Sequence, residues 1–294
     1  MAGDYKLIDA WSGWVEPPAS GSRSLDPNIA KWFRPEGIVS GATLEAVIAD
    51  MDAAGIEKSV LTDTSNIVDV PRPNSPYARG WSATDEQFTA NCRKLCAAKS
   101  KYPDRFHLCI YIDPTLIMRS VRRLEQAVKE YGFGSCWMFP AEVGLPANHA
   151  VYFPVYAKCV ELGIPVKINV GMPGPMRMAW VQQPMHLDEV LLAFPELIVV
   201  GTHVGHPWQV ETVALLQKYP NFYLMTSGWA PKHVPQEIWN VANASRTRDK
   251  VMWASDYPLL SMQRCVKEGW ELPLKDEAKR GYLRDNALKV FTFD

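Results

Sequence analysis

Eight β-rich apolar runs punctuate this sequence, and each is followed by turn residues and then a helical pattern. The runs are Lys6–Ala10, Lys58–Thr62, Phe106–Ile112, Ser135–Phe139, Pro165–Val170, Leu197–Thr202, Asn221–Thr226 and Val251–Ala254. Short apolar runs bounded by turn signals read as strands buried on both faces. Between them, Leu44, Val47, Ile48 and Met51 form a helical stripe that opens after Thr43 and stops at Gly55. Thr84-Asp85-Glu86-Gln87 reads as a capping box before Phe88, Cys92 and Leu95. Gly132 and Gly163 sit where helices should end, and Asp276–Val290 reads as an eighth helix. Parallel neighbours need a crossover, so strands alternating with helices imply a parallel sheet. Eight such units in 294 residues fit a closed (β/α)8 TIM barrel, an α/β fold. A doubly wound open sheet is the alternative, but no G-x-G-x-x-G follows the first strand, so nothing points to a dinucleotide.

No linker interrupts the pattern, so residues 1–294 are expected to form one barrel domain. Two connections are long: Trp14–Gly41 and Asn66–Ala83 are rich in Pro, Gly, Ser and aromatic residues. In a barrel, such βα loops cover the C-terminal face, where chemistry is done. A net charge of −1 without basic runs argues against nucleic acid or an anionic membrane as partner. No stretch of about 18 apolar residues suggests a membrane span, and Met1–Asp9 does not read as a signal peptide. None of the six cysteines forms a C-x-x-C pair, so reduced thiols and a cytoplasmic location are expected. An isologous homodimer is the expected assembly, if any.

The polar residues just past each strand carry the functional reading. Asp256 closes strand eight and His203 closes strand six, which places a carboxylate and an imidazole at one end of the barrel. Each has a structural alternative: Asp256 as a helix cap, His203 as a core histidine bonded to a carbonyl. His206 either lines the pocket as an oxyanion donor or caps the helix at Pro207. Lys167 shares a strand face with Asn169; it is either a buried cation paired with Asp9 or an unpaired, reactive amine. Trp11, Trp137 and Trp229, with Ser12, Asn169 and Arg177, complete the expected substrate-binding set. The tryptophans, with Trp14, Trp32, Trp81 and Trp208, suggest a small apolar or aromatic substrate.

These residues resemble the second amidohydrolase group, a family of lactonases, hydratases, aromatic-acid decarboxylases and amide hydrolases on a distorted (β/α)8 barrel. Ala254-Ser255-Asp256-Tyr257-Pro258 resembles its strand-eight motif, in which the Asp is catalytic. Thr202-His203-Val204-Gly205-His206-Pro207-Trp208 resembles its strand-six motif. Gln183–Leu187, Phe194–Leu197 and the closing segment Arg284–Phe291 extend the likeness over nearly the whole chain. The departures matter as much. Trp11 and Gly13 stand where the family has H-x-H, and Asn169 stands where it has a strand-five His. A catalytic Zn2+ generally needs about three protein ligands, so no metal and no other cofactor is expected.

The resemblance offers a metal-free precedent, a pyrone-dicarboxylate lactonase whose strand-eight Asp activates water. It implies a hydrolase with Asp256 as general base and His203 or His206 at the oxyanion, helped by Asn169 and Ser12. The alternatives are a decarboxylase or other carbon–carbon lyase, with Arg177, Lys167 or Arg72 clamping a carboxylate, and a barrel that only binds a ligand.

Overall fold

The computed structural model describes residues 5–18, 31, 39–64 and 83–293. Much of the two long loops, with Trp32, Arg72 and Trp81, lies outside the described residues. Eight strands pair in parallel and in chain order: β1 (Leu7–Trp14), β2 (Ile56–Asp63), β3 (Phe106–Tyr111), β4 (Ser135–Met138), β5 (Val166–Asn169), β6 (Val199–Thr202), β7 (Phe222–Met225) and β8 (Val251–Met252). Every expected strand is present, within a few residues of its expected ends. β8 has only two residues, so the ring closes through isolated contacts. Ala10 N–H donates to the Trp253 carbonyl at 3.2 Å and Asp256 N–H to the Trp11 carbonyl at 3.1 Å, while Ser12 bridges to Tyr257. The result is a distorted (β/α)8 barrel.

The main outer helices are α1 (Leu44–Ala54), α2 (Asp85–Lys101), α3 (Met118–Tyr131), α4 (Phe153–Leu162), α5 (His186–Ala193), α6 (Gln209–Lys218), α7 (Gln236–Asn243) and α8 (Met262–Glu271). Local chemistry starts and stops them. In α1, the Thr43 hydroxyl accepts from Ala46 N–H at 3.2 Å, and Gly55, at φ 74°, ends the helix in a left-handed turn. In α2, Thr84 and Gln87 exchange the two reciprocal hydrogen bonds of a capping box, at 3.2 and 2.9 Å. One expectation needs correcting. The helix that follows β8 is α8, not Asp276–Val290. α8 buries Met262, Cys265, Val266 and Gly269 and is capped by Ser261. Residues 276–290 form an additional helical segment with a π turn at Gly281–Asp285.

The core has two layers. Leu61, Ile110, Met138, Ile168, Val199 and Leu224 pack outward under the helices. Ile8, Val60, Cys109, Trp137, Val200 and Met252 fill the barrel itself. The C-terminal segment plugs the N-terminal end of the barrel. There Phe291 and Phe293 pack on His107, 5.1 and 5.9 Å between centroids, and His107 Nδ1–H donates to the Thr292 carbonyl at 2.6 Å. Burial pushes the His107 pKa down to about 3. The six cysteines are free thiols, and among the described residues no helix is long and apolar enough to cross a membrane.

Candidate active site

His203 and Asp256 stand at the C-terminal ends of β6 and β8, and both have left-handed backbone conformations, φ 70° and φ 55°. Non-glycine residues rarely adopt such angles, and strain of this kind clusters at functional sites. Among the described residues only Asp104 and Ile117 share it. The two side chains converge on one point. A methyl group added to Gly228, just past β7, would lie 2.8 Å from His203 Nδ1 and 3.1 Å from Asp256 Oδ2. Gly228 therefore does two things: it adopts φ 74° and it leaves room for both groups. Gly228→Ala is expected to displace the pair and lower kcat/KM about 100-fold, because small misplacements of reacting groups cost that much. Steady-state kinetics beside a thermal midpoint will separate this from simple unfolding.

Asp256 is buried, with 7 % of its surface exposed. Burial pushes its carboxyl above the usual carboxylate range, while His203, the Trp11 indole and Lys167 oppose that rise. The Trp11 indole N–H and the Ser12 hydroxyl are both buried without a partner at bonding distance. The Trp11 indole is directed at Asp256, so the nearest donor to this carboxylate is one that lacks a short hydrogen bond of its own, which marks a polar site.

His203 is held at both ring nitrogens. Nδ1 lies 2.7 Å from the Ser227 carbonyl and Nε2 lies 3.0 Å from the Asn169 amide nitrogen. The Asn169 carbonyl oxygen in turn accepts from the Trp137 indole N–H. Trp137 also packs edge-on against Trp11, 4.7 Å between centroids, and against Tyr111 at 5.2 Å. Strand order explains the cluster: β4 and β5 are neighbours, and Trp137 is in register with Lys167, two residues before Asn169.

Lys167 is fully buried below this cluster. Its ammonium lies 4.3 Å from the centre of the Trp11 ring, 5.2 Å from that of Phe291 and 3.4 Å from the Ala10 carbonyl. The direct Asp9 pair weighed from sequence is not formed. β1 shifts register between Asp9 and Ser12, and Asp9 spends its oxygens on the backbone N–H and hydroxyl of Ser255 and on Trp11 N–H. Asp9 thus ties β1 to β8. Burial lowers the Lys167 pKa to about 8 and raises that of Asp9 to about 7.

The sign of the Asp9 effect follows. A carboxyl whose folded pKa is raised binds its proton more tightly in the native state. Its contribution therefore favours folding at low pH and is lost as pH rises from the ordinary carboxylate range to about 7. Asp9→Asn is expected to remove this slope, and urea midpoints measured between pH 5 and pH 8 will show it.

No hydrogen bond among the described residues links the remaining candidates to this cluster. His206 is exposed and its ring lies 5.4 Å from that of Trp229. Arg177 is nearly buried against Glu142 at 3.5 Å, so its charge is already matched. Ser227 and Gly228 were missed in the sequence, although they follow β7 in the same strand-end position that singled out His203 and Asp256.

Comparison with known proteins places the chain in a family. The family model described as amidohydrolase matches residues 71–293, and the chain belongs to that family. A comparison with proteins of curated function gives no match. Among solved structures, a TIM-barrel protein of Bordetella bronchiseptica is similar at 24% identity and a TM-score of 0.72, covering 97% of this chain and 98% of that one. A 5-carboxyvanillate decarboxylase of Sphingomonas paucimobilis is similar at 17% identity and a TM-score of 0.72, covering 98% and 99%. A 5-carboxyvanillate decarboxylase of Novosphingobium aromaticivorans, solved with bound manganese, is similar at 20% identity and a TM-score of 0.68, covering 97% of each chain. At these identities the likeness is one of fold.

The manganese in that relative raises the question of whether such an ion fits here. Among the described residues no three His, Cys, Asp or Glu side chains gather to hold one. Trp11 and Gly13 offer no side-chain ligand on β1, and the Asn169 amide is engaged at both ends. That leaves His203, whose Nε2 faces the Asn169 amide, and Asp256. The donor set does not fit a divalent cation.

Proposed function

We propose that the protein is a metal-independent hydrolase of the amidohydrolase superfamily, acting on a lactone or activated ester of a small aromatic or apolar compound. The observation that carries this reading is the buried Asp256 carboxyl, raised by burial, converging with His203 on Gly228 and faced by the Trp11 indole. A carboxylate with a raised pKa is a stronger base at neutral pH. In this reading Asp256 takes a proton from water as the water oxygen attacks the substrate carbonyl carbon. The carbonyl oxygen gains negative charge, and the Trp11 indole, the Ser12 hydroxyl or His206 donates to it. The bond to the leaving oxygen then breaks, and that oxygen collects the proton held by Asp256. With no Lewis acid in the step, an enol or phenol is the fitting leaving group. Trp11, Trp137, Tyr111 and Trp229 supply aromatic walls suited to a flat substrate.

Decarboxylation of an aromatic acid is the second reading, favoured by the similarity to two 5-carboxyvanillate decarboxylases. Weighing against it, Arg177 is already paired with Glu142, Lys167 lies beneath the Trp11 ring, and Arg72 is outside the described residues. A panel of aryl lactones, enol esters and hydroxybenzoic acids, assayed in chelator for hydrolysis and for CO2 release, decides between them. Chelator-insensitive ester or lactone cleavage is the expected result, whereas CO2 release without hydrolysis overturns the proposal.

A further inference from the structure

The hydrogen bonds around His203 run in a chain whose two ends have fixed chemistry. At one end stands the Trp137 indole N–H, which can only donate. It meets the Asn169 side-chain oxygen, so the amide nitrogen must face the other way, toward His203 Nε2 at 3.0 Å. An amide N–H2 also only donates, so Nε2 is the accepting nitrogen. At the far end Nδ1 meets two groups of Ser227: the carbonyl, which can only accept, at 2.7 Å, and the hydroxyl, which can give or take a hydrogen and so follows the carbonyl's demand, at 3.2 Å. Nδ1 therefore carries the hydrogen. No link can be reversed without setting donor against donor or acceptor against acceptor, in a place where Trp137 and Asn169 are buried.

We propose that Trp137 and Asn169 are positioning residues that lock His203 as the neutral, Nδ1-protonated imidazole, with both ring nitrogens committed within the protein. Asp256 is then the group at this site left to exchange protons with substrate or water, and His203 serves as a fixed wall beside it. The charged and titratable groups that bear on Asp256 are His203, which would lower its pKa only as the imidazolium and so adds nothing in the locked state, the Lys167 ammonium, Asp9 and the Cys265 thiol. The lock holds whether the site hydrolyses or decarboxylates, so its failure and the failure of the proposed reaction are distinguishable.

The test is nitrogen-15 NMR of the imidazole rings of the full-length protein at neutral pH, with the His203 signals assigned by their loss in His203→Gln. The wild type is expected to show one pyrrole-like nitrogen, Nδ1, and one pyridine-like nitrogen, Nε2. Trp137→Phe removes the fixed donor. Asn169 is then free to turn its oxygen toward Nε2, which suits an imidazolium bonded at both ends. Two pyrrole-like nitrogens are expected in that variant. Asn169→Asp reaches the same state by a second route, because a carboxylate accepts from both Trp137 and His203; it also covers the case in which Trp137→Phe does not fold. A wild-type ring protonated at Nε2 overturns the lock, as do His203 signals unchanged in the folded variants.

Discussion

Asp256→Asn is expected to lower turnover by about 10²–10⁴-fold, the usual contribution of a general base. The substitution is close to isosteric and removes proton acceptance while keeping size. It also suits the backbone: Asp256 sits at φ 55°, and Asn is among the few residues that tolerate the left-handed region. Folding should therefore survive, and a thermal midpoint within a few degrees of wild type will show that it has. The loss should fall on kcat more than on KM, because the proton moves in the transition state. A barrel that only binds would keep its ligand affinity in this variant and would have no turnover to lose. Turnover unchanged by Asp256→Asn would remove Asp256 from the chemistry.

Lys167→Met is expected to stabilise the protein at pH 7 by on the order of 1 kcal/mol or more, because the substitution removes a buried charge whose desolvation no opposite charge offsets. Lys167 has no buried surface partner of opposite charge at ion-pair distance among the described residues, and Asp9 is turned toward Ser255. Its contacts include the faces of Trp11 and Phe291, one carbonyl and the neutral Cys109 thiol. The sign is checked through its titration. A lysine whose folded pKa is depressed to about 8 costs stability while it is charged, and that cost fades as pH rises from about 8 through the ordinary lysine range. The gain in Lys167→Met should be largest below pH 8 and should shrink above pH 10. Denaturant midpoints across that range read it directly. A loss of several kcal/mol instead would mean that the ammonium is held by partners a methionine cannot replace.

The strands were legible because each is a β-branched or aromatic run between turn residues, a pattern that backbone burial on both faces dictates. The helix caps at Thr43 and Thr84 were legible for a similarly local reason. Asp256 and His203 stood out because polar residues closing apolar strands have few other uses. What escaped the sequence was set by the third dimension. The register shift in β1 turns Asp9 to Ser255 and away from Lys167, and no residue pattern announces such a shift. The order Trp137, Asn169, His203 and Ser227 runs across the ends of four neighbouring strands, β4 to β7, and which side chains meet there depends on a register that no local pattern announces. Arg177 looked free for a substrate carboxylate because Glu142, 35 positions earlier by number, gave no sign of being its neighbour. The eighth outer helix was misplaced because Asp276–Val290 is the more strongly helical stretch, while α8 depends on burying one narrow face against the barrel.

The central claim is that this member of the amidohydrolase family works without a metal ion, and the metal content of the purified protein tests it most directly. Protein prepared without added metal or chelator should hold less than ~0.1 transition-metal ion per chain, since a filled catalytic site keeps its ion through purification. About one manganese or zinc ion per chain would contradict the account and would move decarboxylation to first place.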